Sequence, residues 1–224
     1  MSYYSDLSKL TLDALKSRFA GDDLLPSQQV LKADLDNRFE VLKNMGIKNA
    51  LDLKTLLKTQ KNADDFSAKT GLPGDFTTIL RREINGLHPQ ARKLNEFAII
   101  NDRIVKNLEN SGIKTTEALF GRVKTAGDRA KLGKETGADA EETLVLAKLA
   151  DLSRIRYVNQ AFATLLIHSA FDTVEKIKKA DYNRVYEELM AVNAEKGLYK
   201  GKIGLNDMKI LVRETRDLSL DIEY

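Results

Sequence analysis

The sequence predicts an all-α fold, on three observations. Leu, Ala, Lys, Glu and Asp dominate the 224 residues and there are only 3 prolines. No Val/Ile/Thr run alternates with period two for long enough to make a strand. Apolar residues recur instead at helical spacing between glycines. With 42% hydrophobic and 31% charged residues the chain can bury a real core, as one large helical domain or two small ones.

The first helix is marked by Leu7, Leu10, Leu12, Leu15 and Phe19, entered at Ser8 or Thr11 and closed by Gly21. Pro26 and Ser27 open another, whose apolar marks Val30, Leu31 and Leu35 lead towards Phe39, Val41 and Leu42, with a break over residues 34–37. Residues 108–119, LENSGIKTTEAL, read as helix, turn at Gly112, and a second helix capped at Thr115 or Thr116.

That stretch is echoed on both sides. A shift of 66 residues superposes Leu42 on Leu108, Gly46 on Gly112, Ile47 on Ile113, Lys48 on Lys114 and Leu53 on Leu119, and continues without a gap through Thr59 on Thr125, Gly71 on Gly137 and Leu80 on Leu146. A further shift of 58 places Asn101 on Asn159, Leu108 on Leu166 and Thr115 on Thr173, with Ala170 and Phe171 replacing Gly112 and Ile113. The expected organisation is an N-terminal helical segment over 1–37, repeats over 38–95, 96–153 and 154–218, and a tail over 219–224 that is loose or docked on an edge. Short helices are marginal alone, so the repeats are expected to pack their Leu/Ile faces into a compact array. Pro89, in LHPQARKLN at residues 87–95, marks the best boundary.

Composition limits the chemistry. There is no cysteine, which removes disulfides, iron–sulfur clusters, thiolate metal sites and a cysteine nucleophile, and suits a reducing cytoplasm. MSYYSDLSKL has no apolar core of signal-peptide length and no run of about 18 apolar residues occurs, so neither export nor membrane anchoring is expected. The net charge of +3 is small, with a mildly basic middle and mildly acidic ends, which lends only weak weight to a nucleic-acid partner.

LADLSRI, a hairpin, LLIHSAFDTVEKI, VNAEKGL and MKILVRETRDL, between residues 149 and 218, closely resemble the bacterial domain of unknown function 4332 (DUF4332) family. LTLDAL, DDLLPSQQVL and RREI extend the resemblance towards the N-terminus. It implies tandem helix-hairpin-helix-like, SAM-domain-like repeats. It implies no activity, although helix-hairpin-helix relatives often bind nucleic-acid backbone through a glycine-containing loop whose N–H groups approach phosphate. The corresponding loops here, residues 97–101 and 155–159, lack glycine. Asn101 and Asn159 are able to turn left-handed in its place, while Ile99 and Tyr157 put bulk at the approach, which argues against phosphate contact through these hairpins.

The GIK turns leave two readings. Gly46 with Lys48, and Gly112 with Lys114, offer helix ends and lysines to phosphates; or the glycines cap helices, the isoleucines are buried and the lysines are solvated, a turn any helical repeat needs. Arg154 and Arg156 complete the set of candidate nucleic-acid contacts. His168, beside Ser169 and Asp172, falls where Asn44 and Asn110 fall, at a helix end, and reads as structural or surface. His88 has no spaced metal partner. Asp22-Asp23, Asp64-Asp65 and Asp139-Glu141-Glu142 match no calcium loop, and GDRAKLGK at residues 127–134 misses the phosphate-loop spacing and has Glu135 where Ser or Thr is required. No enzyme and no cofactor are expected. The expected function is macromolecule binding, with nucleic acid as one partner class and protein as the alternative.

Overall fold

Leu12, Leu15 and Phe19 are spaced to share one helical face, and all three are buried on helix α1, Leu12–Gly21. Thr11 Oγ1 caps it by accepting the Ala14 N–H at 3.2 Å. A computed structural model describes residues 3–21 and 24–224, which are all-helical with no strand among them. Asp22-Asp23 lies outside the described residues. The chain divides into two units, Asp6–His88 and Pro89–Tyr224, the second joined by N-terminal residues 3–5.

In the first unit, Pro26 does open a helix, but Pro26–Lys32 winds as a 3-10 helix. The Gln28 side chain caps its start, accepting the Leu25 N–H at 2.9 Å, and ties it to a later helix by donating to Glu83 at 2.7 Å. Asp34, at φ +47°, separates it from α2, Leu35–Asn44. Asn49 caps α3, Ala50–Leu56, and Thr59 caps α4, Gln60–Thr70, each by accepting the N–H three residues on. After Gly71 and Pro73 comes α5, Gly74–Gly86, which packs on α3, α4 and the 3-10 helix. Phe39, Leu53, Phe76, Leu80 and Ile84 fill the core between them.

The second unit carries α6, Asp102–Asn110; α7, Thr116–Phe120; α8, Ala126–Thr136; α9, Ala140–Leu152; α10, Gln160–Ile167; α11, Val174–Lys178; α12, Tyr182–Lys196; and α13, Leu205–Glu214. Helix α9 is apolar on nearly every side, as a buried helix must be, and packs against α7, α8 and α10. Asp139 and Glu142 start it with a reciprocal capping box. Gly197, at φ +62°, ends α12 so that the chain can return α13 onto it. The tail is docked: Leu218 and Ile222 are buried, the Glu223 N–H donates to the Lys124 carbonyl at 2.8 Å, and Arg129 donates to the Glu223 carbonyl at 2.6 Å.

Candidate functional site

The two GIK turns have the same geometry. Gly46 and Gly112 lie at φ +79° and +80°, a region open to glycine and costly for residues with a Cβ. Helix α2 ends with the Gly46 N–H on the Lys43 carbonyl and the Ile47 N–H on the Leu42 carbonyl. Helix α6 ends with the Gly112 N–H on Glu109 and the Ile113 N–H on Leu108. Both are Schellman caps with their isoleucines buried. The following carbonyls are engaged too, Lys48 O by the Leu12 N–H at 3.1 Å and Lys114 O by the Leu94 N–H at 3.0 Å. What remains at the surface is the two lysine side chains, Lys48 on the first unit and Lys114 on the second, both exposed.

Arg154 is not on the surface. Its side chain is 0% exposed, so it offers no guanidinium to a phosphate, and the expectation of a contact there is corrected. Four of its five N–H donors are spoken for: Nε donates to the Tyr3 carbonyl, Nη1 to Asp151 Oδ1, and Nη2 to both the carbonyl and Oγ of Ser219. The plane stacks over the Phe120 ring, 4.6 Å from its centroid. Asp151 Oδ2 accepts the Val174 N–H at 3.0 Å and the Tyr224 hydroxyl at 2.9 Å. Burial pushes the Asp151 carboxyl up, opposed by the Arg154 guanidinium and these two donors. The Tyr224 phenol is raised by burial and by the Asp151 carboxylate, and the Tyr3 phenol by burial. This cluster fastens both ends of the unit to its middle. Asp151, Tyr224 and Tyr3 were not singled out in the sequence, although an Asp and an Arg three apart inside the apolar run LADLSRI are a signal of an internal pair.

The two hairpins differ from expectation in one respect. Asn101 and Asn159 are not left-handed; they are N-caps of α6 and α10, accepting the Arg103 and Phe162 N–H groups at 2.9 Å each. The left-handed residue is Tyr157, at φ +70° and 51% exposed, with the Arg156 guanidinium 4.5 Å from its ring centroid. A bulky residue in that region stores strain of about 1–3 kcal/mol.

Beside the other hairpin, α6 and the first turns of α9 enclose a half-open groove of about 420 Å³. Ile100, Ile104 and Leu146 form its buried floor, and Ile99 and Val145 are partly exposed on its walls. Asp139, Glu141 and Glu142 line it as well.

His168 caps α10 from an exposed position, with Nδ1 2.8 Å from the Thr164 carbonyl oxygen. Ser169 Oγ donates to the Leu166 carbonyl, and Asp172 pairs with Lys148 and Lys176, so the three form no nucleophile set. His88 Nδ1 is 2.6 Å from Lys54 Nζ, and burial lowers the Lys54 ammonium below its ordinary value. Among the described residues no helix is long and apolar enough to cross a membrane.

The family model for the domain of unknown function (DUF4332) matches residues 99–218. It takes in all but the first residue of the acid-lined groove, the buried Asp151–Arg154 pair without its partners Tyr3, Ser219 and Tyr224, and both hairpin-to-helix junctions at Asn101 and Asn159, and it begins after the first unit, a shorter reach than the sequence motifs suggested. Neither a curated protein nor a solved structure gives a significant match.

Proposed function

Since the chain belongs to the DUF4332 family, whose description names no activity, we propose from its geometry that it is a non-enzymatic macromolecule-binding module with a protein partner. Its helices are read as tandem helix-hairpin-helix-like repeats in a cytoplasmic protein. The observation that carries the choice of partner is what the hairpin over residues 97–101 faces. A phosphate backbone approaching it would meet Asp139, Glu141 and Glu142, and like charges repel. The GIK turns support the same choice, because their N–H groups already satisfy helix ends. A pull-down from nuclease-treated native lysate should recover a partner, and recovery of nothing above an unrelated helical control sinks this reading.

A second reading, nucleic-acid backbone binding, is favoured by the Arg156–Tyr157 pair on the other hairpin and by exposed Lys48 and Lys114. It requires duplex DNA to be shifted at low salt, with charge reversal at Lys48, Lys114 and Arg156 weakening binding on any sequence. No shift in a mobility assay removes it.

A further inference from the structure

The groove beside residues 97–101 combines two features that seldom share a surface without a purpose. Its floor and walls are isoleucine, valine and leucine, and the volume of about 420 Å³ falls within the range of about 300–1,000 Å³ typical of ligand sites. Its rim carries three carboxylates. Two have work to do within the helix, since Asp139 and Glu142 close the capping box of α9. Glu141 stands outside the box, in the first turn of α9 where its charge suits the helix dipole; it is exposed, and among the described residues it makes no ion pair.

The charge balance at the groove is negative. The N-termini of α6 and α9 both lie beside it, each worth about half a positive charge, and both are already capped. Three carboxylates outweigh them. No lysine or arginine lines the groove, and Arg103, on the first turn of α6, is held on the Gly137 carbonyl at 3.1 Å.

We infer that this groove seats a segment of a protein partner that carries lysine or arginine beside two apolar side chains, the apolar pair entering between Ile99 and Val145 and the cation meeting Glu141. The inference rests on the protein-partner reading above and sharpens it to one site and one chemistry. Apolar burial supplies the affinity and the rim supplies orientation and selectivity, so acidic segments are rejected by repulsion as much as basic ones are attracted.

The test uses the full chain and three short fluorescein-labelled peptides read by fluorescence polarisation: one with two leucines a helical turn apart flanked by lysines, one with glutamate for each lysine, and one with glutamine for each leucine. The first should bind and the other two should bind at least tenfold more weakly. Val145→Arg should weaken the first peptide roughly tenfold by filling the wall with like charge, and Glu141→Gln, on an exposed side chain outside the capping box, should weaken it severalfold while lowering the melting temperature only slightly, by the loss of one carboxylate from the first turn of α9. Equal binding of the lysine and glutamate peptides, indifference to both substitutions, or no binding of the lysine peptide overturns the groove assignment. In those cases a partner still recovered from nuclease-treated lysate leaves the protein-partner reading standing with its site elsewhere, whereas a shift of duplex DNA with no protein recovered removes that reading itself.

Discussion

Arg154 Nη1 donates to Asp151 Oδ1 at 2.9 Å, with the two side chains 0% and 5% exposed. A pair so fully withdrawn from water is tolerated because each member has further partners: the guanidinium also holds Tyr3 and Ser219, and the carboxylate also holds Val174 and Tyr224. Arg154→Met therefore strands a buried carboxylate and two carbonyls. It is expected to cost about 3–5 kcal/mol, a fall in Tm on the order of 10 °C for a unit of this size. The double variant with Asp151→Leu should recover a large part of the loss, because no charge is left buried. Thermal denaturation of the singles and the double measures both, and a double variant no better than Arg154→Met would show that the pair is not the reason for the loss.

The tyrosines of the same cluster give a spectroscopic readout. Burial raises the Tyr3 phenol above the ordinary tyrosine value, the residue being 4% exposed; Tyr224 is 47% exposed, and partial burial of its hydroxyl end together with the Asp151 carboxylate raises its phenol. A phenol whose folded value is raised destabilises the fold as pH climbs past the unfolded value of about 10, since the unfolded chain loses its proton first. Of the 7 tyrosines, these two should stay protonated in an absorbance titration until the chain unfolds. Tyr224→Phe should remove one of the late-titrating groups and cost about 0.5–1.5 kcal/mol, less than a fully buried hydrogen bond to a charged group because the residue is 47% exposed. Seven tyrosines ionising together below the unfolding transition would contradict the placement of the tail.

The helices, their caps and their glycine turns were legible in the sequence because they are local. Thr115, Thr59 and Asn49 each accept an N–H three residues away, and Gly46 and Gly112 close turns within six residues, so spacing alone carries the information. Arg154 was misplaced for the opposite reason. Its partners lie as far as 151 residues away in sequence, and an arginine met without them reads as surface. The two hairpin asparagines were recognised as special, but a side chain that can turn left-handed is the same one that caps a helix, and capping won at both. The groove is invisible in sequence, since Ile99, in the loop before α6, and Val145, on α9, are 46 positions apart and come to one groove only through the tertiary fold.

Two glycines of α8 respond oppositely to a methyl group. A Cβ on Gly127, in the first turn, would meet nothing closer than Thr125 Oγ1 at 3.7 Å, an ordinary contact. Gly127→Ala is expected to stabilise by about 0.5–1 kcal/mol, the difference in helix propensity. A Cβ on Gly133 would come 2.7 Å from the Ala138 carbonyl oxygen, where the chain turns back through Gly137 into α9. Gly133→Ala is expected to destabilise despite the better propensity, by roughly 1–3 kcal/mol of overpacking. Denaturant midpoints for the two variants should move in opposite directions; a shift of the same sign for both would mean that the α8–α9 turn is looser than the geometry requires.

The acid limb of stability follows from helix caps. Asp128 is held below the usual carboxylate range by the Thr125 hydroxyl and N–H, and Asp181 by the Asn183 side chain and the N–H groups of Arg184 and Asn183. A carboxylate with a lowered folded value contributes stability that is complete above the unfolded value of about 3.9 and is lost as pH falls through the folded value. Asp151 runs the other way: burial raises its carboxyl, so the folded state takes up that proton first and its contribution grows as pH falls. The net curve mixes the two signs, and a single substitution separates them. Asp181→Asn keeps a good N-cap, because an asparagine oxygen accepts the same N–H bonds, but it removes the titration. Its Tm should match the parent near neutral pH and fall less steeply than the parent below about pH 4. Parallel curves would mean that the Asp181 charge plays no part in holding α12, and that the neutral cap alone accounts for its start at Tyr182.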